Sequence, residues 1–282
     1  MICKILMRPN QSIQQNPQSS ISTKQAIGVF DSGVGGISVL QHIHALLPHE
    51  DLIYLADSKY APYGSKSPEE ITERCFALAD FLIAKQVKAL VVACNTATAA
   101  AIDAMREKYT LPIIGMEPAV KPAAEASKNG IVGVLATVGT LKSAQFAALL
   151  ESYGRNVKVV TQACLGLVEC VERGELHTEN TKALIQQYCA PLLAEGADTI
   201  VLGCTHYPFV KSVIREVVGE KVTLIDTGAA VAKQLKRQLA DSQLLAAETQ
   251  PAEVTFWTNS EAENAAQIIA ALWGKSAAVN RI

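Results

Sequence analysis

Aromatic residues supply only 5% of this 282-residue chain, and neither sign of charge dominates, with 25 Lys and Arg against 27 Asp and Glu. No basic run with interleaved aromatics occurs, so a nucleic-acid or other polyanion partner is not expected. No uninterrupted apolar stretch approaches the roughly 18 residues of a membrane span. The first 25 residues also lack the apolar centre of a secretory leader, because Lys4 interrupts the start and Gln, Ser and Asn follow. Seven cysteines, at 3, 75, 94, 164, 170, 189 and 204, form no C-x-x-C pair. That argues against a zinc site or a dithiol redox motif. Reduced thiols and a cytoplasmic protein are the expectation.

What the chain does have is Ala, Val and alternation. Apolar β-rich runs fall at 26–31, 52–56, 88–93, 112–115, 131–136, 157–161, 199–203, 222–226 and 253–258, with helical patterns between them. One helix is announced by Ser67-Pro68-Glu69-Glu70, a capping box with Pro at the first helical position. Ile71, Cys75, Leu78 and Leu82 then recur at helical spacing. Strands alternating with helices predict an α/β protein with mostly parallel sheets.

The alternation itself repeats. Ile27-Gly-Val-Phe-Asp-Ser-Gly33 resembles Val132-Gly-Val-Leu-Ala-Thr-Val138, with Gly28 and Gly133 105 residues apart. Cys94 and Cys204, each closing an apolar β run, are 110 residues apart. Two features in the same order at nearly the same offset predict two pseudo-symmetric three-layer α/β domains with the active site between them. The expected layout is a disordered or loosely attached extension at 1–25, a first domain of 26–116 plus 230–282, and a second of 117–229. In that layout a helix at 228–239, a strand at 253–258 and a helix at 261–273 return to the first half.

Ligands of α/β proteins gather at the carboxyl ends of strands, where both cysteines fall. A lone free cysteine is most often a small buried hydrophobe. A matched pair, each followed by small polar residues, reads better as an acid and a base on opposite faces of one carbon, since a thiol titrates near neutral pH. Cys3, Cys75, Cys164, Cys170 and Cys189 have no such setting and are read as structural. After the first strand comes Asp31-Ser32-Gly33-Val34-Gly35-Gly36, which misses the dinucleotide fingerprint at its last glycine and lacks a P-loop ending. It reads as a carboxylate site, with Asp31 either at the cleft or capping the next helix. Tyr63 and Gly64, in a turn-rich loop, are candidates for closing over substrate. Asn95, Thr96, Thr205 and His206 follow the cysteines and offer hydrogen bonds to a zwitterion. His206 could also tune Cys204. Thr137 and Thr140 occupy the counterpart of the Asp31 loop, as substrate ligands or helix caps. Glu169 and Glu172 compete as an accessory acid.

The motifs FDSGVGG (30–36), PYG (62–64), ACNTA (93–97) and LGCTHYP (202–208), in this order and spacing, resemble glutamate racemase from about residue 26 to the end. The resemblance implies two α/β domains around a central site and no cofactor. Cys94 and Cys204 match the family's catalytic cysteines. Asp31-Ser32, Tyr63-Gly64, Asn95-Thr96 and Thr205-His206 match its substrate-binding pairs, with Asp31 and His206 also assisting the thiols. Cys94 would take the proton from D-glutamate and Cys204 from L-glutamate, and the product would serve peptidoglycan synthesis. The stretch CLGLVECVE (164–172) lacks the family's commoner prolines, so the accessory glutamate stays open between Glu169 and Glu172. Some members with an N-terminal extension need a cell-wall precursor as activator, and residues 1–25 leave that open here, as does the question of a homodimer. Rival readings are a racemase for aspartate or a related acid, a two-domain amino-acid-binding protein without catalysis, and a nucleotide-dependent oxidoreductase.

Overall fold

The computed structural model describes residues 21–154, 156–248 and 252–282. Most of the expected N-terminal extension therefore lies outside the described residues. Its last part is not loose, because the carbonyl of Thr23 accepts a 2.6 Å hydrogen bond from Lys88 Nζ.

In chain order the strands are β1 (Ile27–Asp31), β2 (Leu52–Ala56), β3 (Ala89–Val92), β4 (Ile113–Ile114), β5 (Ile131–Ala136), β6 (Lys158–Ala163), β7 (Thr199–Leu202), β8 (Thr223–Ile225), β9 (Val254–Thr258) and β10 (Val279–Arg281). The helices are α1 (Ile37–Leu46), α2 (Pro68–Ala84), α3 (Asn95–Lys108), α4 (Val120–Ala126), α5 (Val138–Lys142), α6 (Ala144–Tyr153), α7 (Leu167–Glu172), α8 (Glu179–Ala194), α9 (Lys211–Val218), α10 (Gly228–Asp241) and α11 (Ala262–Trp273).

The strands form two sheets, ordered β10-β9-β2-β1-β3-β4 and β6-β5-β7-β8. Every pairing between them is parallel. The order β2-β1-β3-β4 recurs as β6-β5-β7-β8, and even the register repeats: Gly28 faces Leu90 in the first sheet and Gly133 faces Ile200 in the second. Central β1, β3 and β7 are buried along their whole length. That is why they read as continuous apolar runs, as parallel strands covered on both faces do. Apolar clusters line both faces of each sheet. One runs through both halves, a second packs α2 and α3 on the first sheet, and a third packs α4 and α6 on the second.

The first sheet is completed from the far end of the chain. β9 pairs with β2 from Leu52↔Val254 to Ala56↔Thr258, and α10 packs on α1. The α2 start follows its sequence signal only in part. Ser67 Oγ accepts from the Glu70 amide at 3.2 Å, but the Glu70 carboxylate pairs with Lys66 instead of reaching back to the cap.

At the amino ends of these strands Lys88 and Glu50 form a buried pair, Nζ to Oε2 2.5 Å, with side chains 0% and 3% exposed. Glu50 Oε1 also accepts from the Ala246 amide at 2.8 Å. The pair thus ties Thr23, β3 and the segment before β9 together. Lys88→Met strands a buried carboxylate and should cost roughly 3–5 kcal/mol of stability. Urea denaturation checks this, and kcat of the surviving folded fraction should be unchanged.

Candidate active site

Cys94 and Cys204 each stand two residues beyond the end of an equivalent strand, β3 and β7. Both line one narrow cavity between the sheets, with Ser32, Gly64, Asn95, Thr96, Thr137, Thr205 and His206 among its other walls. Its walls nearly meet, leaving room for about one water molecule. In this closed arrangement a substrate enters only if the walls move apart.

The surroundings of the two thiols differ. Cys94 caps α3, its sulfur accepting from the Ala97 amide at 3.4 Å, and lies 3.8 Å from Ser32 Oγ. Burial pushes this thiol well above its ordinary value, and the Asp31 and Cys204 charges push the same way against the Ala97 hydrogen bond. Cys204 Sγ lies 3.7 Å from His206 Nδ1, and His206 Nε2 lies 2.6 Å from Glu172 Oε1. Burial pulls the His206 imidazole down, but its hydrogen bonds to Cys204 and Glu172, with their charges, outweigh burial and hold it well above its ordinary value. One sulfur therefore faces a carboxylate and the other a cation.

Asp31 ends β1 fully buried. Its Oδ1 accepts from the Ser32 amide at 2.6 Å, and its Oδ2 accepts from the Gly36 amide at 2.6 Å and from Thr205 Oγ1 at 3.2 Å. Burial raises its carboxyl, the His206 charge opposes that, and the Glu172 charge adds to it. The glycine-rich loop does hold carboxylates, but they are the protein's own: the Val34 amide donates to Glu172 Oε1 at 2.7 Å. The glycines make room for side chains. A Cβ on Gly33 would sit 1.9 Å from Glu172 Oε1, and one on Gly35 would sit 2.2 Å from His206 Nδ1.

Glu172, not Glu169, is the acid that the fold brings to the thiols. Tyr63 and Gly64 line the cavity, and the buried Tyr63 hydroxyl donates to Asp57. Thr96 Oγ1 lies 2.8 Å from Thr137 Oγ1 and 3.1 Å from Thr140 Oγ1. Thr137 also caps α5, accepting from the Thr140 amide at 3.2 Å, so its capping role is real. These three hydroxyls bridge the two halves. Asn95 is the exception to this pairing: both its side-chain oxygen and nitrogen are buried with no partner. Buried polar atoms seldom stay unpaired, and this amide stands in the cavity wall.

Four residues were not singled out by sequence: Asp57, Ser58, Arg74 and Asn259. Asp57 carries the one available signal, an acid at the carboxyl end of a strand: it follows β2 directly, and Asp31 is the last residue of β1. The remaining cysteines within the described residues are free and buried. Burial pushes Cys75 up to about 12 and Cys189 up to about 11, which suits core positions. Cys3 lies outside the described residues. No group of three or more His, Cys, Asp or Glu among the described residues is arranged to hold a metal ion.

Gly64→Ala tests the seam between the halves. The new Cβ would lie 2.7 Å from Thr137 Cβ, so the loop must retreat from the cavity. A roughly ten- to hundredfold loss of kcat/KM is expected, with the melting temperature nearly unchanged.

Comparison with known proteins places the chain in a family. Residues 27–235 match the family described as Asp/Glu/hydantoin racemase. A glutamate racemase of Ectopseudomonas mendocina (strain ymp) is 56% identical over 256 residues, covering 90% of this chain and 97% of that one. The crystal structure of glutamate racemase isoform RacE1 from Bacillus anthracis superposes with a TM-score of 0.84 at 35% identity, covering 92% and 98%. That of Escherichia coli glutamate racemase, in complex with L-glutamate and the activator UDP-MurNAc-Ala, gives 0.80 at 31%, covering 91% and 97%. Fold and relatives together define an isomerase. The chain belongs to the Asp/Glu/hydantoin racemase family, where it groups with the glutamate racemases.

Proposed function

We propose that the chain interconverts L- and D-glutamate by a two-base mechanism in which Cys94 and Cys204 flank Cα. The observation that carries this reading is the pair of equivalent strand ends delivering one thiol each to a single buried cavity. The Cys204 thiolate takes the α-proton of L-glutamate and becomes a thiol. The Cys94 thiol gives its proton to the opposite face and becomes a thiolate, so the count of protons balances. D-glutamate reverses the roles, and exchange with solvent resets the pair.

The electrostatics favour this starting state. His206 Nδ1 stands 3.7 Å from Cys204 Sγ, within reach to take or return its proton. Burial and the Asp31 charge push the Cys94 thiol up and favour its protonated form. The planar intermediate is stabilised by fixed donors in a dry cavity, for which the unpaired Asn95 amide and the Thr96, Thr137, Thr140 and Thr205 hydroxyls are available. Ser32 and the Tyr63-Gly64 backbone complete the substrate contacts. Opening of the two halves admits substrate, because the Thr96–Thr137 bridge closes the cavity.

The proposed halves are 26–116 plus 230–282 and 117–229, consistent with the return of β9 to the first sheet. The reaction supplies D-glutamate for peptidoglycan in the cytoplasm; no helix among the described residues is long and apolar enough to cross a membrane. A cell-wall precursor is a candidate activator, since the Escherichia coli relative was crystallised with one. A second cavity of about 490 Å³ would take it here, lined from both halves and carrying Arg106, Lys121 and Tyr153.

Circular dichroism of a substrate panel tests the activity. Glutamate should racemise, aspartate should not, and glutamate should protect Cys94 and Cys204 from alkylation. Racemisation of aspartate alone would replace the substrate, and alkylation without loss of activity would remove the thiols.

A further inference from the structure

We infer that the turn after β2, residues 57–60, is a positioning device for Glu172, with Ser58 reaching the carboxylate and Asn259 holding the turn. This rests on the proposed role of the Glu172–His206–Cys204 chain.

Glu172 offers two oxygens. Oε1 is shared by the Val34 amide at 2.7 Å and His206 Nε2 at 2.6 Å. Oε2 accepts from Ser58 Oγ at 3.1 Å. The carboxylate is thus fixed at both ends, and with it the plane of the imidazole whose Nδ1 faces Cys204. Without Ser58 the carboxylate is free to rotate about the bonds to Oε1.

Ser58 is itself fastened from both sides. The Asp57 carboxylate is fully buried and accepts from Arg74 Nε at 3.0 Å, Arg74 Nη2 at 2.6 Å, the Tyr63 hydroxyl and Asn259 Nδ2. On the other side, Asn259 Oδ1 accepts from the Lys59 amide at 3.0 Å. One amide therefore grips the residues before and after Ser58. The Arg74 guanidinium stacks 3.9 Å from the Tyr60 ring centroid, and the Asp57 amide donates to the Asp31 carbonyl at 3.0 Å. Asn259 immediately follows β9, so the strand that joins the C-terminal part of the chain to β2 also sets the neighbours of Cys204. Supporting groups of this kind orient the residues that do chemistry.

The experiment compares Ser58→Ala, Ser58→Thr and Asn259→Ala with the wild type in full-length protein, with Cys204→Ala as control. It reads steady-state kinetics and the pH dependence of iodoacetamide labelling at Cys94 and Cys204, resolved by peptide mass spectrometry. Ser58→Ala should lower kcat about tenfold, the weight of one hydrogen bond to a charged group, with KM within about twofold. Its labelling profile should shift at Cys204 and not at Cys94. Ser58→Thr keeps the hydroxyl and should restore both, and Asn259→Ala should reproduce the Cys204-selective shift. Unchanged kinetics, equal shifts at both cysteines, or no rescue by threonine would overturn the inference. Full activity in Cys204→Ala would instead overturn the two-thiol reading.

Discussion

Cys94→Ala and Cys204→Ala each lower racemisation by at least about 10²–10⁴-fold, the range for loss of a general acid or base. Either change removes the base in one direction and the acid in the other. The enantiomers are equal in free energy in water, so kcat/KM falls equally for both. The two variants nonetheless differ in what they retain. Cys94→Ala keeps the thiol beside His206 and should still exchange the α-hydrogen of L-glutamate slowly with solvent, while Cys204→Ala should do so for D-glutamate. NMR of each enantiomer in D₂O reads both, and circular dichroism reads the loss of racemisation. Cys189→Ala, in the core and away from the cavity, is the control: stability should fall on the removal of packed volume, but kcat should not.

Glu172→Gln lowers kcat for L-glutamate by about 10²-fold and moves its alkaline limb to lower pH. The size is the lower end of what a positioned proton carrier contributes. The sign follows from the balance at His206. Burial lowers its pKa, and the hydrogen bonds and charges of Cys204 and Glu172 raise it. Glutamine keeps the shape and an acceptor oxygen but removes one of the two raising charges, so burial gains weight and the imidazole loses its proton at lower pH. The wild type holds its cation above the ordinary histidine range, and the variant should lose activity at a lower pH than the wild type does. The pH profile of kcat, together with the imidazole signals of His206 by NMR, checks this. Glu169→Gln is predicted to leave the profile in place.

The central strands were legible because burial on both faces leaves β1, β3 and β7 with uninterrupted apolar runs, and the duplicated motifs mark equivalent ends of equivalent strands. β10 was not legible. Val279-Asn280-Arg281 is a short edge strand that pairs only with β9, and Asn280 and Arg281 are exposed, so no pattern betrays it. The choice between Glu169 and Glu172 was likewise closed to sequence. Residues three apart on a helix share a side, and only packing against the Val34 loop selects one. The pattern around Gly33 and Gly35 is one that suits a ligand's anion, whereas in the fold these glycines make room for Glu172 and His206. The Asp57–Asn259 contact joins residues 202 positions apart, which no local periodicity encodes.

The central claim is tested most directly by following L-glutamate and D-glutamate separately in D₂O through the first few per cent of reaction. Two opposed sulfurs predict that each newly formed enantiomer carries deuterium at Cα while the remaining substrate keeps its hydrogen. Product that retains the substrate's own hydrogen, or substrate that exchanges as fast as product appears, would contradict it.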